Sequence, residues 1–197
     1  FSPMQNDNSV KSADLVAAQN ITFEDLRETI ADLYDTVAAI LKDTVDHDIT
    51  FVPHDPEADD PYAAEDEQHI GWTIGHIVAH LTASNEETAV FASLLARGIP
   101  QDGRIRTETP WEEIDTVAKA QSRLEESQRI VLAYLDAIPD NPDFETTRVF
   151  SSEKADAFFG PINALASMVM GLSHHVGHID QLREAHRQAK AATTKAL

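Results

Sequence analysis

Four long segments of the chain repeat apolar residues at spacings of three and four, and this periodicity restricts the fold more than any other feature. Such spacings place side chains on one face of an α-helix. The repeat of the first segment consists of Leu26, Ile30, Leu33, Val37 and Ile40. Because each helix must bury its apolar face against another, the pattern predicts an all-α protein, a four-helix bundle.

Capping residues and helix breakers set the predicted ends of the first two helices. Thr22 and Asp25 form a capping pair at the start of the first helix. The second helix is predicted over about 68–97, since Gly98 and Pro100 are helix-stop signals.

The third and fourth helices have start signals of their own. Thr109-Pro110-Trp111-Glu112 combines a threonine cap, a proline in the first turn and a capping-box glutamate, and the third helix is expected to end before Pro139. The fourth helix is predicted to begin at Gly160-Pro161 and to continue to about Lys190.

One bundle domain over residues 21–190 accounts for these helices. The other segments are predicted to be irregular, with two local exceptions: a short helix near Ser12–Gln19 and a short strand over Thr147–Phe150. The four irregular segments are an N-terminal arm (1–20), an acidic excursion (47–68), an irregular or hairpin segment between the third and fourth helices (139–159), and a C-terminal tail (191–197).

Composition excludes several classes of partner and site. The 34 acidic and 15 basic residues give a net charge of −19, which repels nucleic-acid phosphates and anionic lipid. No apolar run approaches the length of a membrane span, and no targeting leader is visible, so a soluble, cytoplasmic protein is expected. The chain has no cysteine, so a metal site must use nitrogen and oxygen donors.

Histidines supply the candidate donors. His174 and His178 are four residues apart and therefore lie on one helix face. They share a stripe of small residues opposite the aliphatic seam of the fourth helix, which predicts that they are buried beside a small pocket. His80, at the edge of the apolar seam of the second helix, is the predicted third ligand, with His76 in reserve because it should be more exposed.

Other titratable residues have simpler interpretations. Glu87 falls on nearly the same helical line as His80 and is a candidate general base, ligand or orienting partner. A bare HxxxH spacing is weak support for a metal, because nine histidines in an acidic chain produce chance pairs. His175 is expected to pack at the edge of the seam, and the remaining four are expected to be solvated: His47, His54, His69 and His186.

Two segments resemble the DinB-like superfamily, also called the YfiT-like putative metal-dependent hydrolases. Trp72 is followed eight residues later by His80-Leu81, and the last helix carries His174-His175-Val176-Gly177-His178-Ile179 before Gln181-Leu182-Arg183. The resemblance implies a four-helix bundle in which His80, His174 and His178 hold a divalent metal. A longer acidic excursion and an N-terminal arm are departures from the family pattern.

These observations favour a metal-dependent enzyme with a small-molecule substrate. The triad would hold zinc or nickel, with iron or manganese as alternatives, and would activate water or an exogenous low-molecular-weight thiol, giving a hydrolase or a thiol transferase. The thiol is implied by the family resemblance. Exposed faces of the bundle, together with the family resemblance, favour a homodimer.

Two rival enzyme classes lack their motifs. A ferritin-like oxidase needs Glu-x-x-His pairs, and a zinc protease needs HExxH, neither of which is present. A non-catalytic metal- or ligand-binding bundle is the alternative to an enzyme.

Overall fold

The computed structural model describes residues 20–59, 68–103, 105, 108–148 and 160–196. This part of the chain is helical and contains no strand, which confirms the predicted fold class. Arg148 and Ile162 form one isolated antiparallel bridge. The helices are α1 (Phe23–Lys42), α2 (Asp46–Ile49), α3 (Ile74–Leu95), a 3-10 helix (Trp111–Glu113), α4 (Val117–Asp136) and α5 (Ala164–Ala196).

Helix α1 begins where the sequence predicts. The Thr22 hydroxyl accepts a hydrogen bond from the Asp25 amide, and the Asp25 carboxylate accepts one from the Thr22 amide at 2.8 Å. This reciprocal pair satisfies two backbone donors that the first turn of a helix otherwise leaves unpaired.

Helix α3 begins at Ile74, six residues after the predicted start near residue 68. Thr73 is the N-cap, and its hydroxyl accepts from the His76 amide at 3.1 Å. At Gly71 a Cβ would collide with the carbonyl oxygen of Pro53. The chain before Thr73 is therefore packed against the preceding loop instead of extending the helix.

Helix α4, which corresponds to the third predicted helix, also begins later than predicted. Trp111–Glu113 forms only one 3-10 turn, and α4 starts at Val117 with Thr116 as its cap. Ile114, which follows the 3-10 helix and precedes α4 in the sequence, is buried. Its carbonyl oxygen occupies the space that a side chain at Gly75 would need. Because tertiary packing fixes Ile114 in a non-helical conformation, the local start signal at residue 109 does not continue as an α-helix.

Helix α5 begins at Ala164, with the Asn163 side chain accepting from the Ala166 amide, and continues to Ala196. Its end lies six residues beyond the predicted one near Lys190, so residues 191–196 are helical. The predicted short helix near 12–19 lies outside the described residues, as do residues 149 and 150 of the predicted strand. None of the described helices combines the length and apolarity needed to cross a bilayer.

Helices α3 and α4 run parallel, which requires a long return connection. Near their C-terminal ends Arg97 donates to the Ala137 carbonyl at 2.8 Å, and near their N-terminal ends Ile114 lies against Gly75. We call residues 96–116 the crossover segment. The chain returns through it from the end of α3 to the start of α4.

Helix α3 is the central element. It packs against α4, α5 and the 3-10 helix, while α1 packs against α4 and α5. The predicted apolar seam of α3 is buried: Ile74, Ile77, Leu81, Thr88, Phe91 and Leu95. A helix buried on most sides positions its polar side chains rigidly, since neighbouring side chains restrict their rotamers.

Candidate metal centre

His80, His174 and His178 converge at one point between α3 and α5. Each offers a ring nitrogen, and these three nitrogens lie within 4.8 Å of one another. The Nε2 atom of His174 lies 3.2 Å from Nε2 of His80 and 3.2 Å from Nε2 of His178. The triad predicted from the sequence is therefore assembled from two helices that are far apart along the chain.

The nitrogen spacing fits a divalent ion. Two imidazole nitrogens bound to a tetrahedral ion at 2.0–2.1 Å are separated by roughly 3.3 Å, and the two shortest separations here are 3.2 Å. A hydrogen-bonded set satisfies the three atoms less well. Neutral imidazole has either a proton or a lone pair at Nε2, so one nitrogen cannot donate to two neighbours.

The Nδ1 atom of His178, on the opposite side of the ring from Nε2, faces a hydrogen-bond acceptor. This Nδ1 lies 2.7 Å from the Gln181 side-chain oxygen, which can only accept, so Nδ1 carries the proton. The Nε2 lone pair then faces the other two histidines, as a metal ligand requires. Burial lowers the pKa of His178, and the hydrogen bond that Nδ1–H donates to Gln181 opposes that shift in part, so the ring favours the neutral form.

The sequence predicts that His174 and His178 are both buried. This prediction is wrong for His174 and only partly correct for His178. His174 is exposed and His178 is half-buried. The periodicity of a helix gives the face on which a residue lies, but not whether a neighbouring element covers that face. The open side at His174 leaves the centre accessible from solvent.

An aromatic stack lies against the centre and contains the reserve ligand. His76 is sandwiched between Trp72 and Trp111, with ring centroids 4.3 and 4.9 Å away. Trp72 also contacts two histidines of the centre: His178 is stacked on it at 5.5 Å with an interplanar angle of 9°, and the tilted His80 ring lies 4.8 Å away. His76, predicted to be more exposed than His80, is half-buried as His80 is, and it lies outside the cluster of three nitrogens.

Glu87, two turns after His80 in α3, is buried, and its carboxylate makes polar contacts. Its carboxylate accepts from the Ile105 amide at 3.2 Å and lies 3.7 Å from the Arg148 guanidinium, which is itself buried over the Phe91 ring. These contacts tie the crossover segment and the loop before α5 to helix α3.

The carboxylate contact to His80 that the structure shows comes from Glu108, which sequence analysis missed. Oε1 of Glu108 lies 3.7 Å from His80 Nδ1. The residue is 28 positions away from His80 in an irregular segment, so no helical periodicity connects the two. Only the return path of the crossover segment brings them together.

His175 is fully buried and helps to fix α5 in the core. Its Nδ1 accepts from the Asn85 amide group at 2.6 Å, and Asn85 also donates to the Tyr34 hydroxyl. Burial lowers the pKa of His175 to about 4, which keeps this imidazole neutral. Since His174 and His175 are adjacent, anchoring one ring in the core directs the other toward the centre.

Comparison with known proteins places the chain in a family. Searches of curated proteins and of solved structures returned no match. The sequence profile of the DinB superfamily matches residues 32–182, well over half of the chain. This range includes all three histidines of the centre and the aromatic residues stacked against it. The protein belongs to the DinB superfamily.

Proposed function

We propose that this protein is a metal-dependent enzyme whose centre is formed by His80, His174 and His178. The observation that carries the proposal is the meeting of three Nε2 atoms, in which the Nε2 of His174 lies 3.2 Å from that of His80 and 3.2 Å from that of His178. Membership of the DinB superfamily and the three-histidine cluster fit a metal-binding protein. Imidazole donors favour zinc or nickel, with iron and manganese as alternatives.

The residues of the chain would bind and orient the reactants. A divalent ion held by three imidazoles would supply Lewis-acid chemistry, lowering the pKa of a water or thiol that shares the site. The exposed edge at His174 is the side from which a small electrophilic substrate can approach. Because the chain has no cysteine, a thiol nucleophile would come from a low-molecular-weight compound, and water is the other candidate.

Metal stoichiometry is the first test. The purified protein is loaded with zinc or nickel, dialysed and measured by elemental analysis. We expect one ion per chain in the wild type and none in His80→Ala, His174→Ala or His178→Ala. The matched control is His54→Ala, since that side chain is exposed while its backbone makes the hydrogen bonds to Gln188. Full metal retention by His174→Ala would overturn the proposed centre.

Activity is tested separately. The loaded protein is incubated with a generic electrophile and a panel of low-molecular-weight thiols, and parallel reactions with ester and amide substrates test hydrolysis. We expect turnover that requires both the ion and the triad. Stoichiometric metal binding without turnover of any substrate would favour the alternative function, a non-catalytic metal- or ligand-binding bundle.

A further inference from the structure

The crossover segment returns along α3 in a fixed register. Its residues contact α3 in reverse order: the Ile105 amide donates to Glu87, Glu108 approaches His80, Trp111 stacks on His76, and Ile114 lies against Gly75. Contacts on both sides of Glu108 along the segment restrict how far it can move from the metal centre.

Glu108 approaches the edge of His80 that points away from the other histidines. The Nε2 atom of His80 meets His174 at 3.2 Å, while Nδ1, across the ring, faces the Glu108 carboxylate at 3.7 Å. The contact is longer than a hydrogen bond, and contacts at functional sites are often long before the ligand is bound. Glu108 thus faces the outer edge of the imidazole and is not part of the three-histidine cluster.

His178 has an acceptor at the corresponding edge of its ring, at hydrogen-bond distance. There the Nδ1–H group donates to Gln181 at 2.7 Å, which leaves the Nε2 lone pair directed at the centre. A neutral imidazole carries one proton, so an acceptor at Nδ1 makes Nε2 available as a ligand. A carboxylate is a stronger acceptor than an amide, and it adds negative charge beside a site for a cation.

We propose that Glu108 is a positioning residue that holds the proton of His80 on Nδ1. The crossover segment thus supplies the metal centre with an orienting group for the α3 ligand, as Gln181 does for an α5 ligand. The inference deepens the proposed function and rests on it for its biological meaning. Its physical content, the location of one proton, is measurable without any metal.

The first experiment measures the tautomer of His80 in the metal-free protein. Two-bond proton–nitrogen NMR spectra are recorded at about pH 8.5, where imidazole is ordinarily neutral, and the His80 signals are assigned from their loss in His80→Asn. We expect an Nδ1–H ring in the wild type and in Glu108→Gln, whose side-chain oxygen still accepts. In Glu108→Ala the ring should shift toward the Nε2–H form.

The matched control is Glu112→Ala. Glu112 is exposed and lies in the same segment, so the change in charge is equal while the approach to His80 is unaffected. An unchanged His80 tautomer in Glu108→Ala would overturn the proposal, as would an equal shift in Glu112→Ala.

The second experiment measures zinc affinity by competition with a chromophoric chelator. We expect Glu108→Ala to bind zinc about 10- to 100-fold more weakly, with Glu108→Gln in between and Glu112→Ala unchanged. Equal affinity of Glu108→Ala and wild type would overturn the role of Glu108 while leaving the metal centre intact. If the wild type binds no zinc but Glu108→Ala shifts the tautomer, the proposed function fails and the Glu108–His80 contact stands.

Discussion

Gly171 packs directly on Thr88 where helices α3 and α5 cross. A Cβ atom placed on Gly171 would lie 2.8 Å from Thr88 Cγ2 and 2.9 Å from Thr88 Cβ, closer than such atoms approach in proteins. The crossing is three residues before His174 and eight residues after His80. The absence of a side chain at residue 171 therefore permits the helix separation at which the two imidazoles meet.

The first prediction concerns this crossing. Gly171→Ala should lower the free energy of unfolding by about 1–3 kcal/mol, because the added methyl group overpacks a buried contact. It should also weaken zinc binding, since moving α5 away separates His174 from His80. Denaturant titration and chelator competition measure the two effects. Thr88→Ala in the same chain should recover part of both, because it removes the γ atoms that clash.

The second prediction concerns the acceptor at His178. Gln181→Leu removes the oxygen that accepts from Nδ1 and should weaken zinc binding by about 10- to 100-fold. Gln181→Glu keeps an acceptor at that edge and should bind at least as tightly as the wild type. If the leucine variant bound zinc with wild-type affinity in a competition titration, the Nδ1 contact would have no role in ligand orientation.

The third prediction concerns alkaline stability. Burial raises the pKa of Tyr34 to about 12 from an ordinary value of 10.0. The unfolded chain releases the phenolic proton first as pH rises, so the folded state loses stability between about pH 10 and 12 and keeps it below pH 10. The loss should reach about 2–3 kcal/mol, from 1.36 kcal/mol per unit of pKa shift.

Chemical denaturation at a series of pH values measures that loss. Tyr34→Phe should be less stable at neutral pH, because the Tyr34 hydroxyl is hydrogen-bonded to Ser127 at 2.8 Å. It should also show a weaker decline above pH 10. Tyr134→Phe is the control, since that ring is exposed. A decline of wild-type size in Tyr34→Phe would show that Tyr34 does not cause it.

The fourth prediction concerns the ion pair between Arg123 and Glu86, which joins α4 to α3. Each side chain is only 11% exposed. Arg123→Met should destabilise the fold by about 3–5 kcal/mol, because it leaves a buried carboxylate without its partner. Adding Glu86→Leu removes the unpaired charge, and the double variant should be more stable than Arg123→Met alone in thermal or denaturant unfolding.

Local sequence signals predicted helix ends where no tertiary contact opposed them. The capping pair of Thr22 and Asp25 is formed as expected. The signal at Thr109 was equally strong, but the packing of Ile114 against Gly75 stops the helix after one 3-10 turn. A capping preference is worth about 1 kcal/mol, which burial of a large apolar side chain can outweigh.

The sequence alone determined the helical class of the protein and placed His174 and His178 on one helix face, because helical periodicity is a local property of the chain. It singled out His80 from its position at the edge of an apolar seam and its distance from Trp72, and the structure brings the three side chains together. Tertiary structure decided what these residues meet. It left His174 exposed, enclosed His76 between two indole rings and brought Glu108 to His80. Those outcomes depend on how α3 and α5 cross and on the path of the crossover segment, which are set by packing between residues far apart in sequence.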